Sequence, residues 1–253
     1  MLVMPQPARP VTLEEIRQFV EERVSRFHVS KMEVLLHTNL RQLVRRQNPY
    51  LLQIRQVNAI DQLVRVLLDE HLKDIEENLF DELLRDVAVH VADLAWPIQR
   101  LPFAGIALAF TADDTRYHVQ LKGSHLWKSH HERARVKNYF YLAEDTLRSA
   151  QGHNTPVRNI LGICYGNRPY KMRYNYDTLS GAALWTFLSG NPHLYLDLIE
   201  PLSHQLDAHM LQYEVLYLTH SAELAREMLQ EFCTSGALDW RKIVAFCSGS
   251  QQP

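Results

Sequence analysis

The chain has 253 residues, 46% hydrophobic and 22% charged, and its 27 Lys and Arg against 29 Asp and Glu give a net charge of −2. This ordinary globular composition excludes disordered chains and mini-proteins, because a chain of this length buries a substantial core without disulfides or metals. The three cysteines form neither a paired framework nor a metal-binding spacing, and no apolar run approaches the roughly 20 residues of a membrane span, so we expect a soluble, cytoplasmic protein.

The N-terminal part has the periodicity and the caps of helices. Thr12 with Glu15 and Ser30 with Glu33 are capping boxes, and apolar residues follow each of them at helical spacing. The second of these helices should end before Asn48-Pro49, because a proline drives the preceding residue out of the α region. Two more helices are predicted at 59–68 and 74–96.

After Pro102 the apolar residues recur at every second position instead of at helical spacing. An apolar run at 105–110, a turn at 112–115 and alternating apolar and polar residues at 117–122 predict a β-hairpin. A helix at 131–150 and a strand at 157–165 should follow. The remainder is predicted to be helical, at 179–188, in a short helix that ends at Pro201, at 204–232 and at 240–246. This order favours an α/β or α+β fold, in which a small mixed sheet is flanked by helices.

Charge is distributed unevenly along the chain. Residues 61–86 carry nine acids against three bases, which gives −6, whereas the segments 34–60, 122–137 and 155–176 are each +4. Such segments are often solvated helix faces and loops. They are also what a basic cleft for phosphate backbones would need, beside an acidic helix that can hold a cation.

One constellation has the layout of a metal-dependent nuclease. A helix bears Glu77, the second hairpin strand bears Lys122, and a helix rich in bases follows. Hydrolysis of a phosphodiester needs carboxylates that hold Mg²⁺ against the phosphate, and a lysine that orients water or offsets charge. On spacing alone the pattern is weak, because a lysine on an exposed strand face is usually only solvated.

Short segments in collinear order make the pattern more specific. They are NPYL (48–51), EENLF (76–80), VQLKG (119–123), LGICYG (161–166), WTFLSGNP (185–192), IEP (199–201), FCTSG (232–236), DW (239–240) and SGS (248–250). In these segments the chain resembles type II restriction endonucleases of the PD-(D/E)XK superfamily, and more narrowly the PmeII-like group, which cuts GC-rich palindromes. The resemblance implies a helical part at 1–70 for dimerisation, a restriction-endonuclease-like core with C-terminal helices at 71–253, and a homodimer on double-stranded DNA.

The resemblance also assigns a catalytic site, with one serious departure. Lys122 matches the lysine of the (D/E)XK element, Gln120 stands where a second Mg²⁺ ligand lies, and Glu77 matches the acid of the preceding helix. However, Ala107 replaces the aspartate that bridges the metal ions, and Ala109 replaces the next acid. Even the partner of a metal ligand is typically worth about 10- to 100-fold in affinity or activity. We therefore expect that the site is vestigial and that the protein with this sequence binds no Mg²⁺ there.

Three explanations compete for Ala107. Natural decay is favoured, since residues 94–104 also lack the polar, Gly-rich and Ser-rich character expected of an active relative. Deliberate inactivation is the second, because alanine at a catalytic aspartate is the usual way to trap a nuclease on DNA. Migration of the ligand to Asp113 or Asp114 is the weakest, because both lie roughly 6 residues, or 20 Å of extended strand, beyond Ala107.

Basic and aromatic residues are candidates for DNA contact. The resemblance places the segment after Lys122 close to DNA, and in the loop that follows the last predicted strand, bases are interleaved with tyrosines. The candidates are Trp127, Lys128, His130, Arg133, Arg168, Lys171 and Arg173. The histidines at 118, 125, 130 and 131 match no standard zinc spacing.

Three functional hypotheses remain open. The first is a DNA-binding protein of type II restriction endonuclease descent, catalytically impaired or inactive as written. The second is a Mg²⁺-dependent site-specific double-strand endonuclease in inactivated form. The third is a non-catalytic subunit of a host-defence complex, in which the helix at 204–232 docks a protein partner. The basic segments argue against the third.

Overall fold

The computed structural model describes residues 5–101, 105–124, 130–151, 156–167, 171–172, 175–204 and 206–249. Its elements are α1 (Leu13–Leu36), α2 (Leu40–Arg45), α3 (Pro49–Ile54), α4 (Ile60–Ala95), β1 (Leu108–Ala112), β2 (Thr115–Lys122), α5 (His130–Gln151), β3 (Val157–Ile163), β4 (Lys171–Met172), β5 (Asp177–Ser180), α6 (Ala182–Ser189), α7 (Leu194–Asp197), α8 (Ile199–Leu202), α9 (Leu206–Phe232), β6 (Cys233–Thr234), β7 (Ala237–Leu238) and α10 (Trp240–Cys247). The predicted mixed α/β architecture is confirmed.

The chain divides into two compact units. Unit 1 comprises Met1–Val24 and Phe80–His204, and unit 2 comprises Ser25–Leu79 and Gln205–Pro253. This division differs from the predicted boundary between residues 70 and 71, because α1 and α4 each contribute residues to both units. A role of the N-terminal part in dimerisation stays a prediction.

Unit 1 contains a five-stranded mixed sheet of order β1-β2-β3-β5-β4. β1 and β2 form the predicted antiparallel hairpin, in which Leu108 is opposite Val119 and Ala112 is opposite Thr115. β3 runs parallel to both β2 and β5, and β4 pairs antiparallel with β5. The alternating pattern of β2 therefore predicted a real strand with two different faces.

Both faces of this sheet are covered. On one face Phe110 is fully buried, and its ring centroid lies 4.5 Å from that of Trp96 and 5.3 Å from that of Tyr117. On the other face, buried side chains of α5 pack against β3, as Phe140 does in one hydrophobic cluster with Leu161. The polar positions of β2 thus face a helix rather than open solvent.

Unit 2 is built around helices. Its core joins α2, α3 and α4 residues such as Leu43, Leu52 and Leu67 to Leu224 and Met228 of α9. Asparagine or aspartate side chains cap the short helices by accepting hydrogen bonds from their first backbone amides. These caps are Asn39 for α2, Asn48 for α3 and Asp239 for α10.

Some predicted element boundaries were wrong. Ser30 does not begin a second helix but lies inside α1, and the two helices predicted between 59 and 96 are the single helix α4. The helix predicted at 179–188 begins only at Ala182, because residues 177–180 pair with β3 as strand β5 and Gly181 then adopts a φ of 51°. Within the described ranges no helix is long and apolar enough to cross a membrane.

Candidate functional site

A cavity of about 530 Å³ in unit 1 lies where the hairpin meets two helices. Its walls come from α4, from the segment that leads into β1, from the end of β2 and from the first turns of α5. The polar and charged lining residues are Glu82, Arg85, Asp86, Gln120, Lys122, Glu132, Arg135 and Tyr139. Gly105, Ile106 and Ala107 also line the cavity, so the structure brings the predicted residues of the hairpin to one place.

Ala107 lies beside the strand that bears Gln120. Both residues line the cavity, and the Ala107 amide donates to the carbonyl of Val119, the residue before Gln120, at 2.9 Å. Arg100 also holds the Ala107 carbonyl, through a 3.0 Å hydrogen bond from Nη1. The two positions of this cavity that the resemblance expects to supply metal ligands therefore carry a methyl group and an amide.

Gln120 has an unsatisfied acceptor. Its Oε1 atom is buried and accepts no hydrogen bond from the residues that the structure describes. A buried carbonyl oxygen without a donor costs about 1–3 kcal/mol. This oxygen is therefore ready to accept a donor or to coordinate a cation, although it contributes no negative charge.

Lys122 is held by an acid that the sequence did not single out. Its Nζ forms an ion pair with Oε1 of Glu132 in the first turn of α5, and the two side chains are only 12% and 21% exposed. Glu132, Arg135 and Tyr139 follow each other at helical spacing, so one face of α5 lines the cavity. The single acid within the basic segment 122–137 was the signal that could have indicated this pair.

A comparison of the sequence with known families assigns the chain to one of them. Residues 14–209, more than half of the chain, match the family model of type II restriction endonuclease EcoO109I. The chain belongs to this family. No curated protein matched it. The chain is therefore of type II restriction endonuclease descent, and this family implies DNA binding.

The metal-ligand role of Glu77 stays a prediction, and other acids of the same helix line the cavity. Glu82 and Asp86 of α4 line the cavity, whereas Glu77 belongs to unit 2 and is not among the lining residues. Glu77 lies five residues before Glu82, which is more than one helical turn. Asp86 in turn forms a 3.2 Å ion pair with Nε of Arg23, so Glu82 is the more available carboxylate.

Members of the EcoO109I family usually use Mg²⁺, but the residues of this cavity do not fit the ion. Mg²⁺ demands near-octahedral oxygen coordination, usually with one or two carboxylates. At the hairpin, Ala107 has no donor atom, Gln120 offers only an amide oxygen, and Glu132 is engaged by Lys122. Across the described parts of the chain, no three His, Cys, Asp or Glu side chains are grouped so that they could hold a metal ion.

Other acid positions do not restore such a site. Ala109 is fully buried opposite His118, and therefore lies farther along the same face than the cavity. Asp113 and Asp114 form the turn between β1 and β2 with φ values of 48° and 55°, at the end of the hairpin opposite Ala107, and neither lines the cavity. Migration of the ligand to either aspartate gains no support from this geometry.

The structure describes only some of the predicted DNA-contact residues. Arg133 is exposed on α5, and Arg135, which the prediction did not include, lines the cavity beside it. Lys171 lies in β4, and His130 is the first residue of α5; their side chains are outside the description. Trp127, Lys128, Arg168 and Arg173 lie outside the described residues altogether.

Proposed function

We propose that this protein binds double-stranded DNA and that its Mg²⁺-dependent cleavage is impaired. One observation carries the proposal. Ala107 and Gln120 line the same cavity as Lys122, where the resemblance to nucleases of this type leads us to expect carboxylates. Without them a cation beside the phosphate lacks its main anionic ligands, and the charge of the transition state is not offset.

The ion pair of Lys122 with Glu132 supports the same conclusion. A lysine that serves a phosphodiester must present its ammonium group to water or to phosphate oxygen. Here the ammonium group is paired with a carboxylate, and both side chains are largely buried. Catalysis by Lys122 would first require this pair to open.

DNA binding gains support from the bases that remain. Arg133 and Arg135 are exposed on α5, and Arg85 and Arg135 line the cavity. Arginine forms bidentate hydrogen bonds with phosphate and keeps its charge at any physiological pH. Such contacts are independent of a metal ion, so binding can persist where cleavage does not.

The decisive experiment compares the natural chain with a restored one. The structure favours Ala107→Asp combined with Gln120→Glu, because both positions line the cavity. Ala109→Glu is unsuitable because position 109 is fully buried, and an unpaired carboxylate there would destabilise the fold. Each protein is incubated with plasmid DNA and Mg²⁺ or Mn²⁺, and both cutting and salt-dependent binding are measured.

The outcomes separate the hypotheses. We expect the natural chain to bind duplex DNA without cutting it. Rescue of cutting by the double variant supports an endonuclease present in inactivated form, whereas binding without rescue supports long decay. Cutting by the natural chain refutes impairment, and absence of binding by both proteins at low salt supports the subunit that only docks a protein partner.

Narrower features belong to the same proposal. Resemblance to the PmeII-like group makes a GC-rich palindromic duplex the first probe, and a palindrome implies a homodimer. The N-terminal part would supply the dimer contact, and host defence in the cytoplasm would be the setting. Light scattering coupled to size-exclusion chromatography tests the dimer, and a mass near 29.5 kDa at micromolar concentration would contradict it.

A further inference from the structure

Helix α9 has two apolar faces. One face packs into the core of unit 2 through Leu224 and Met228, which are both buried. The other face lies roughly 130° around the helix from these two residues, at about 100° per residue. Its large side chains are between 47% and 65% exposed, and they are Leu211, Val215, Leu218 and Leu229. A surface helix needs one apolar stripe to join its own domain, and unit 2 covers only the first of these faces.

The second face has the spacing of a coiled coil. Steps of three and four residues alternate without a break over seven apolar positions, which we call the α9 seam: Ala208, Leu211, Val215, Leu218, Ala222, Ala225 and Leu229. They are successive a and d positions of a heptad, over about 32 Å of helix. Ala208 and Ala222 are exposed, whereas Ala225 lies at the edge of the unit 2 core. An unbroken heptad on an exposed face indicates that a second helix packs against it.

The charge of α9 narrows the class of partner. The helix carries five acids and one base, Arg226, which gives it −4. Such a surface repels the phosphate groups of DNA and of anionic lipids. Three of the acids, Glu223, Glu227 and Glu231, lie at least about 110° around the helix from the seam, so they do not oppose a helix packed on it. The seam therefore fits an apolar helix of a protein.

The seam is complementary to itself. Position 220 is the midpoint of three pairs of seam residues, so a two-fold axis there sets the members of each pair opposite each other in an antiparallel second copy. The pairs are Leu211 with Leu229, Val215 with Ala225, and Leu218 with Ala222. Two of them set a large side chain against a small one, as close packing requires. A parallel pair would instead face Ala222 with Ala222 and Ala225 with Ala225, which leaves gaps.

The flanks of an antiparallel pair also match. On one side of the seam, Gln212 faces Arg226 of the second copy. On the other side, Ser221 faces its own counterpart, and the residue nearest to Glu214 is the uncharged Met228. Like charges across a helix pair disfavour association, and none are opposed here.

We propose that the α9 seam pairs with the same seam of a second copy, antiparallel about a two-fold axis near position 220. The pairing rests on the homodimer of the proposed function and specifies its surface. Unit 2 contains both α9 and residues 25–79, so it carries the seam together with most of the N-terminal part. The paired seams bury on the order of 1,000 Å², close to the smallest area of a specific interface, so we expect a dissociation constant in the micromolar range.

Sedimentation velocity of the full chain, from about 1 to about 100 µM, tests the seam. We expect a dimer whose fraction rises with concentration. Leu218→Glu should weaken dimerisation at least about tenfold, because a carboxylate from each copy would be buried in an apolar layer. Ile54→Glu is the matched control and should leave the dimer unchanged, because Ile54 is 77% exposed in the same unit but lies outside α9.

A second variant and a measurement of folding keep this test decisive. Leu218 is 53% exposed in the single chain, so Leu218→Glu should keep the fold, as circular dichroism checks. Val215→Glu should have the same effect on the dimer from the neighbouring seam position. A dimer that both variants leave intact overturns the seam, although the homodimer of the proposed function stands. A natural chain that stays monomeric up to about 100 µM overturns both.

Oxidative cross-linking tests the antiparallel register without an added charge. Cys247→Ser first removes the one native thiol that is not buried. In that background, a mixture of Leu218→Cys and Ala222→Cys proteins should cross-link faster than either protein alone, because the register sets these two positions opposite each other and a disulfide needs close Cβ atoms. Faster cross-linking of either protein alone overturns the register.

Discussion

Replacing Glu132 by Gln should make the protein bind DNA more tightly. In the natural chain Glu132 neutralises the ammonium group of Lys122, and both side chains are mostly buried. A phosphate that approaches Lys122 must therefore displace a carboxylate. Glutamine keeps the shape of the side chain and removes its charge, so the carboxylate of residue 132 no longer competes with a phosphate for Lys122.

The size of the effect follows from the pair. The Lys122–Glu132 ion pair is intermediate in burial. Exposed ion pairs stabilise a protein by about 0–1 kcal/mol, whereas disruption of a fully buried pair costs about 3–5 kcal/mol. Release of about 1 kcal/mol corresponds to roughly a fivefold gain in affinity at low salt. One additional neutralised phosphate also steepens the plot of log K against log salt by about 0.9, so between 50 and 200 mM salt the advantage of the variant should shrink by about 3.5-fold.

Fluorescence anisotropy with a labelled duplex at several NaCl concentrations measures both quantities. Glu82→Gln is the matched control, because it removes a negative charge from the same cavity without touching the Lys122 pair. Glu132→Gln combined with Lys122→Gln should lose the gain. The reasoning is refuted if Glu132→Gln has the affinity and salt dependence of the natural chain, or if its gain survives without Lys122.

Three further predictions concern stability and titration. Phe110→Ala should lower the free energy of unfolding by about 3–5 kcal/mol in urea, because this ring is fully buried, whereas Tyr141→Ala, at a residue 66% exposed, should change little. Burial lowers the pKa of His118 from an ordinary 6.5 to about 4, so the unfolded chain takes up the proton at a higher pH than the folded chain. The free energy of unfolding should therefore fall by about 3 kcal/mol between pH 6.5 and pH 4, as denaturation at several pH values can measure. The hydroxyl of Thr234 and two backbone amides lower the pKa of Asp239, so its stabilising effect should persist below the ordinary pKa of 3.8 and disappear as the pH falls through the folded value, as carboxyl NMR titration can show.

Local patterns were sufficient to predict the hairpin and the convergence of its residues. A period of two over 117–122 fixes which residues of β2 share a face, and the antiparallel pairing of β1 with β2 brings Ala107 to the same cavity as Gln120. The phase of a long helix is harder to predict. α4 has 36 residues, and only tertiary packing determines that Glu82 rather than Glu77 lines the cavity.

Contacts between distant segments could not be predicted from the sequence for a similar reason. The pair of Lys122 with Glu132 depends on how α5 docks on the sheet, which no local propensity specifies. Strand β5 was missed because Asp177–Ser180 has little strand character of its own and is defined by its pairing with β3. The ion pair and strand β5 were therefore both missed because they depend on tertiary packing, which overrides weak local preferences.

The net charge of the cavity predicts how Mg²⁺ should affect the stability of a variant with restored acids. Three acids and three bases line the cavity, so its formal charge is zero. Ala107→Asp with Gln120→Glu would make it −2, which is the charge that one divalent cation neutralises. In EDTA this double variant should therefore melt below the natural chain, because two carboxylates repel each other and Glu132. Added Mg²⁺ should raise its melting temperature while leaving the natural chain unchanged, since only a protein that binds the ion in its folded state gains stability from it. If Mg²⁺ stabilised both proteins equally, the natural cavity would already hold a cation, and the impairment inferred from Ala107 and Gln120 would be wrong.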